Sequence, residues 1–336
     1  PMLEELLERR THSLGADHND VIDAQIDLAI VYRRIGKLEQ AENRCTQSLS
    51  LLNDQNRTQD DPMLLRCMTE LSRIYLASEK IQQAESLARN TFERSRLRFG
   101  VNNPKSLRRG QVLVECLGKL GRLDDAQDLS TQIVSKLQMA LGQSHPDTLG
   151  AMDSLANIAA ARNDFNLALE QYLQILKLKE EELGSMHPET LNTLNATAEI
   201  YRKLDMLEEA KKAQYTVYQR LQEKYGHEHP ETLRSMNELA DLHLELGEED
   251  SAFSISERAL AIERAIMGEK DPMTLNTLFR IGKLHYLAQR TDEAMVILGE
   301  TLSKQEKLLG FDNAEVTITR DLLNQILGER ATAIKV

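Results

Sequence analysis

Tryptophan is absent from the 336-residue chain, aromatic residues make up 4% of it, and proline occurs 7 times. A core built on large rings is excluded, and the plentiful Leu, Ala, Glu, Lys and Arg point to helices packed through modest side chains. Cysteine is also scarce. Cys45, Cys67 and Cys116 are odd in number and far apart, which excludes a disulfide framework and the C-x-x-C spacing of a zinc site; buried free thiols are expected. No apolar run approaches the roughly 20 residues needed to cross a bilayer, and no N-terminal segment has the layout of a signal peptide, so a cytoplasmic protein without membrane insertion is expected. Positive charge is in deficit: the net charge of -12 and a pI near 5.3 argue against a general nucleic-acid binder. Pro1 ahead of Met2 reads as a residue left by tag removal, and a longer native chain is expected.

What the chain has instead is a repeat. Leu141-Gly142-Gln143-Ser144-His145-Pro146-Asp147-Thr148-Leu149 returns as Leu183-Gly184…His187-Pro188-Glu189-Thr190-Leu191, then as Tyr225-Gly226…His229-Pro230-Glu231-Thr232-Leu233 and Met267-Gly268…Asp271-Pro272-Met273-Thr274-Leu275, at steps of 42 residues. Phe99-Gly100…Asn103-Pro104 keeps the step, Asp61-Pro62 and Leu14-Gly15…His18 are weaker copies, and Leu309-Gly310…Asn313 is the last. A period of this size belongs to stacked helical hairpins, each contacting mainly its neighbours, rather than to a compact globule. One domain is expected: a half-unit helix over 1–14, seven units (15–57, 58–99, 100–141, 142–183, 184–225, 226–267 and 268–309), and a capping helix with a tail over 310–336.

Within each unit the first helix should open with His, Asp or Asn at the N-cap and Pro at the first helical position, where its missing N–H costs nothing. Apolar residues 3 or 4 apart, such as Leu149, Met152, Leu155, Ala156 and Ala159, predict one buried stripe. Gly36, Gly121 and Gly247 mark the corner between the two helices, with Asn163 and Asp205 there in other units. Ala41, Ala84, Ala126, Ala168, Ala210, Ala252 and Ala294 lie 26 residues after their joint. A small side chain there lets the two helices of a hairpin approach closely.

Helix, short turn, helix, with Leu-Ala near the middle of the first helix, an aromatic three residues later, Gly at the turn and Ala in the second helix, resembles the tetratricopeptide repeat. The unit length and the Leu-Gly-x-x-His-Pro-[Asp/Glu]-Thr-Leu joint are similar to the longer variety found in kinesin light chains, over about residues 3–330. The resemblance implies an all-α, right-handed superhelical solenoid whose first helices line a concave groove for an extended peptide or partner segment. It also implies a scaffold role. The alternative is a regulatory or sensor arm of a larger signalling ATPase or protease, in which such arrays also occur. The heptad segment of kinesin light chains has no counterpart here, so motor-cargo binding does not carry over.

Nothing in the chain has the pattern of a catalytic, cofactor or metal site. G-x-x-x-x-G-K-[ST], H-E-x-x-H and G-x-S-x-G are all absent. His18, His145, His187 and His229 recur at the cap position, His243 and His285 fall where Tyr32, Tyr75 and Tyr201 fall in other units, and His227-Glu228-His229 lies in a joint without further ligands. For binding, the analogy puts positions 8, 11, 15 and 18 after the joint glycine on the groove. Asn192, Asn195, Asn237 and Asn276 fall there, with Asn157 one turn further along in its unit; Asn donates and accepts, as holding a peptide backbone requires, though solvated polar residues would look the same. Arg66, Arg73 and Arg108 are expected on the groove within a basic stretch that includes Arg89, Arg94, Arg96, Arg98, Lys105 and Arg109; Arg94, Arg96 and Arg98 should face outward. Glu199 and Asp241, with Glu238, Arg202 and Lys283, are expected on the groove further on, which suits a ligand acidic at one end and basic at the other. The last helix carries Val316, Ile318, Leu322, Leu323, Ile326 and Leu327, which either pack back on the preceding unit or offer a surface for self-association.

Overall fold

The computed structural model describes residues 2–55 and 57–333, and side chains within 4–55 and 57–330; Pro1 and residues 334–336 of the expected tail lie outside the described residues. These residues form sixteen helices and no strand. In chain order they are α1 (Met2–Leu14), α2 (Asn19–Arg34), α3 (Leu38–Asp54), α4 (Pro62–Ala77), α5 (Ile81–Phe99), α6 (Pro104–Lys119), α7 (Leu123–Leu141) and α8 (Pro146–Ala161). Then follow α9 (Phe165–Glu182), α10 (Pro188–Lys203), α11 (Leu207–Tyr225), α12 (Pro230–Glu245), α13 (Glu249–Ile266), α14 (Pro272–Leu287), α15 (Thr291–Leu309) and α16 (Ala314–Ala333). Contacts group them into two compact units, residues 1–178 and 179–336. Each is a stack of helical hairpins, so the all-α repeat solenoid is the architecture.

The caps explain why each first helix starts where it does. A side chain at the joint accepts the backbone N–H two residues on: Nδ1 of His18, His145, His187 and His229 at 3.1 to 3.3 Å, and the side-chain oxygen of Asp61, Asn103, Asp271 and Asn313 at 2.9 Å. One orphan donor of the first turn is thereby satisfied. In two joints a buried threonine adds a tie, with Thr148 Oγ1 donating to the Gly142 carbonyl at 2.8 Å and Thr190 Oγ1 to that of Gly184 at 2.9 Å.

From α5 on, each second helix is followed by a glycine whose φ lies in the left-handed region, 100° at Gly100 and 84° at Gly310, which is why those joints keep Gly; α3 ends at Asp54 without one. The corners inside the hairpins need the same conformation. Asn163 and Asp205 adopt it as expected, and so do Glu79 (φ 60°) and Gln289 (φ 59°), which the sequence does not flag. All seven alanines at the packing position are 0% exposed, so no larger side chain fits without moving the hairpin apart. At Gly282 on α14 the approach is closer still: an added Cβ would sit 2.7 Å from Leu298 of α15.

Cys45, Cys67 and Cys116 are free and fully buried. The Cys67 thiol donates to the Cys45 carbonyl at 3.3 Å, hydrogen bonding to Cys67 and then burial push the Cys45 thiol up, and burial pushes Cys116 up to about 12. Neither Cys45 nor Cys116 is poised as a thiolate. In the second unit, Lys179 is 2% exposed and donates from Nζ to Thr193 Oγ1 at 2.9 Å. The stripe of α16 largely packs back: Val316 and Ile326 are 0% exposed, Leu322 and Leu323 lie against Ala294 and Leu298, and Ile318 and Leu327 stay exposed.

Candidate functional site

In the first unit, successive first helices contribute to two cavities that share Arg73. The larger, about 710 Å³, is lined by Arg33 of α2, Arg73 of α4, Glu115 of α6 and Ser154 and Asn157 of α8, over an apolar floor that includes Leu76, Val114 and Ile158. One wall is fixed by Glu70, whose side chain is 4% exposed: Arg33 Nε donates to its Oε1 at 2.5 Å, and Arg73 Nη1 lies 3.7 Å from Oε2. Glu115 opens into the cavity with no cation within 4 Å among the described residues. Its enclosure raises the carboxyl pKa, and the more distant Arg73 and Arg33 only partly oppose that. Asn157 is exposed on one side, and its Oδ1 accepts from the Tyr172 hydroxyl at 2.6 Å, so its amide N–H groups are what it offers a ligand.

The smaller cavity, about 360 Å³, lies toward the start of the same helices and is lined by Arg66, Arg73, Phe99, Lys105, Arg108 and Arg109 among others. Arg66 is held by Asp23 and Asp27 of α2, and Arg108 Nε lies 3.3 Å from Asp147 Oδ2. The expected arginine forks thus have acidic neighbours of their own, and a ligand group would share or displace them. Hydrogen bonding to Asp27 and the charges of Asp23 and Asp27 outweigh burial, so the Arg66 pKa is raised.

In the second unit, Asn192 and Asn195 line a cavity of about 240 Å³ with Arg234 and Glu238. Burial raises the Glu238 pKa, and Gln214 Nε2 donates to it at 2.7 Å. Glu199 and Arg202 line a neighbouring space of about 520 Å³ with Glu245. Arg202 forks onto Glu245, with its Nε at 2.8 Å, and that hydrogen bonding raises its pKa. Asp241 is taken by both ends of the Arg280 guanidinium at 2.5 and 3.0 Å. Asn276 Nδ2 is 3.5 Å from Glu315 Oε1, and Lys283 is exposed without an ion pair among the described residues.

Asn237 requires a correction, because it is 8% exposed and does not face open groove. Its Nδ2 donates to Glu263 Oε1 of α13 at 2.7 Å, and its Oδ1 accepts from Thr277 at 3.2 Å and Arg280 Nη1 at 3.0 Å, both on α14. At about 100° per residue, position 11 is turned about 60° from position 8, toward the helix packed alongside. Glu115, Arg33 and Ser154 are lining residues that sequence reading passed over. The signal for Glu115 was present, since it stands 15 residues after Gly100, the offset that selected Arg73, Glu199, Asp241 and Lys283. No group of three or more His, Cys, Asp and Glu side chains among the described residues is arranged to hold a metal ion, and no helix there is long and apolar enough to cross a membrane.

Models of the tetratricopeptide repeat match residues 1–54, 64–105, 148–189, 189–262 and 237–307, more than half of the chain. The chain belongs to the tetratricopeptide repeat family. No curated protein sequence matches it significantly. Among solved structures of this fold it is similar to the nearly identical tetratricopeptide-like repeats of a putative kinesin light chain from Podosopora anserina, at 24% identity and TM-score 0.57, covering 62% of this chain and 98% of that one. It is also similar to a signal transduction ATPase with numerous domains carrying a tetratricopeptide repeat sensor, from Pyrococcus horikoshii, at 13% identity and TM-score 0.67; 97% of this chain and 46% of that one are covered. A Rap protein complexed with Competence and Sporulation Factor matches at 11% identity and TM-score 0.57, over 98% of this chain and 92% of that one. At these identities the tetratricopeptide fold is what is shared.

Proposed function

We propose that this tetratricopeptide repeat chain is a non-catalytic scaffold for protein–protein interaction in the cytoplasm, holding a peptide or partner segment against the groove side of its first helices. One observation carries the reading: the two cavities of residues 1–178 adjoin at Arg73 and draw polar side chains from successive first helices over an apolar floor. Convergent polar groups over apolar surface are what a segment-binding site needs. The Rap protein solved with Competence and Sporulation Factor lends support by fold alone. Self-association through α16 would rest on Ile318 and Leu327, the exposed large hydrophobic residues of that helix among the described residues. The test is a photo-crosslinking residue at Ser154, in the larger cavity, against one at the exposed Met139 on α7, each exposed to lysate of the source cell. A partner captured at Ser154 and not at Met139 is expected; the reverse pattern rejects the groove.

The second reading, a sensor arm of a larger signalling ATPase, is favoured by the archaeal protein, less than half of which this chain covers. An antibody to this chain separates the two on a blot of the source cell. A band near 38.1 kDa supports the free scaffold, and one of more than twice that mass supports the arm.

A further inference from the structure

The smaller cavity of residues 1–178 holds more positive charge than its own carboxylates neutralise. Arg66 is matched by Asp23 and Asp27, Arg73 by Glu70, and Arg108 by Asp147. Lys105 and Arg109 have no carboxylate within 4 Å among the described residues, yet they sit side by side against the Phe99 ring, at 5.5 and 5.6 Å from its centroid. Arg109 is pinned by donating from Nη1 to the Lys105 carbonyl at 2.9 Å, and its Nε–H has no acceptor among the described residues. Burial, then the charges of Arg108 and Arg73, lower its pKa. A half-enclosed cation beside like charges costs stability, and an anion in the pocket would return that cost.

We propose that this pocket receives the dianionic phosphate of a phosphomonoester carried by the bound segment, held by Lys105 and Arg109 with Arg108 at its edge. The inference rests on the protein-binding reading above and names the chemistry of its ligand. Two uncompensated cations match the charge of about -1.5 to -2 that a phosphomonoester carries near neutrality, and three phosphate oxygens can accept from three basic side chains. A phosphodiester offers one charge, and a chain of net charge -12 repels a long polyanion.

The experiment uses the whole chain alone, titrated with N-acetyl-O-phospho-L-serine amide and followed by NMR shifts of the Phe99–Arg109 amides. Binding at about pH 7.5 is expected, several-fold weaker at about pH 5.5 where the dianion takes up one proton and becomes a monoanion, and about tenfold weaker in Arg109→Gln. Arg264→Gln, which lies in the second unit beside Glu269, should leave it unchanged. Removing an uncompensated cation should keep or raise the melting temperature of Arg109→Gln; if that variant unfolds, Lys105→Gln at an exposed position takes its place. No shift in these amides, or full binding by both variants, overturns the proposal. So does tighter binding of inorganic phosphate, which assigns the pocket to the free ion, or equal binding of dimethyl phosphate or succinate, which assigns it to a diester or a carboxylate. No partner is needed in this titration, so its failure leaves a crosslink at Ser154 standing. Phosphoserine binding without that crosslink would reject the groove reading instead.

Discussion

Glu263 is 0% exposed on α13; its Oε1 accepts from Asn237 and its Oε2 has no hydrogen-bond partner among the described residues. Burial raises its pKa, opposed by the Asn237 and Thr277 side chains. The native chain therefore holds this proton more tightly than the unfolded chain does, and stability falls as pH rises through the window above the ordinary glutamate value. Glu263→Gln keeps an acceptor for Asn237 and removes the charge. It should be more stable than the parent by about 1 kcal/mol near pH 7.5, with the gap closing toward about pH 4. Urea unfolding at both pH values decides this, and a variant that is less stable at the higher pH would mean the carboxylate is compensated.

The hairpin is specified by short-range chemistry, and the joint threonines isolate one part of it. Thr148 and Thr190 tie their helices to the preceding glycine carbonyl, whereas the hydroxyls of the equally buried Thr232 and Thr274 have no partner among the described residues. Valine keeps the shape and removes the hydroxyl. Thr190→Val should cost about 1 kcal/mol and Thr232→Val should be neutral or slightly stabilising, measured by thermal unfolding. Equal losses would show that the hydroxyl of Thr232 is bonded after all. What was legible in the sequence is likewise local: the caps, the joint glycines and the small packing residue depend on neighbours a few positions away, so the 42-residue period carried them. Glu79 and Gln289 at the corners were hidden because the backbone imposes the left-handed conformation on residues that do not advertise it. The ion pairs were hidden for another reason, since each joins adjacent units: Arg66 with Asp23, and Arg202 with Glu245, 43 residues apart, and Arg280 with Asp241, 39 apart. Reading each first helix by itself left Arg66, Arg202 and Asp241 open to a ligand; the pairing needs the register between one repeat and the next.

Charge is divided unequally along the molecule. Residues 1–178 hold 22 Lys and Arg against 24 Asp and Glu, whereas residues 179–336 hold 19 against 29. Nearly all of the net charge of -12 thus belongs to the second unit. Excess charge of one sign destabilises a compact state by self-repulsion, and added salt screens it over about 10 Å at 0.1 M. The ion pairs would respond in the opposite sense, but some of those in the second unit, such as Arg280 with Asp241, are short and partly buried and are screened less, and the exposed ones contribute little. Self-repulsion should therefore dominate the salt response there. Raising NaCl from about 0.02 to about 0.3 M should slow amide hydrogen exchange in residues 179–336 and change it little in residues 1–178. Peptide-resolved exchange mass spectrometry reads both units in one sample. A uniform response would mean that the acidic excess is already neutralised within the stack, and a loss of protection confined to the second unit would mean that its ion pairs, rather than its net charge, govern its stability.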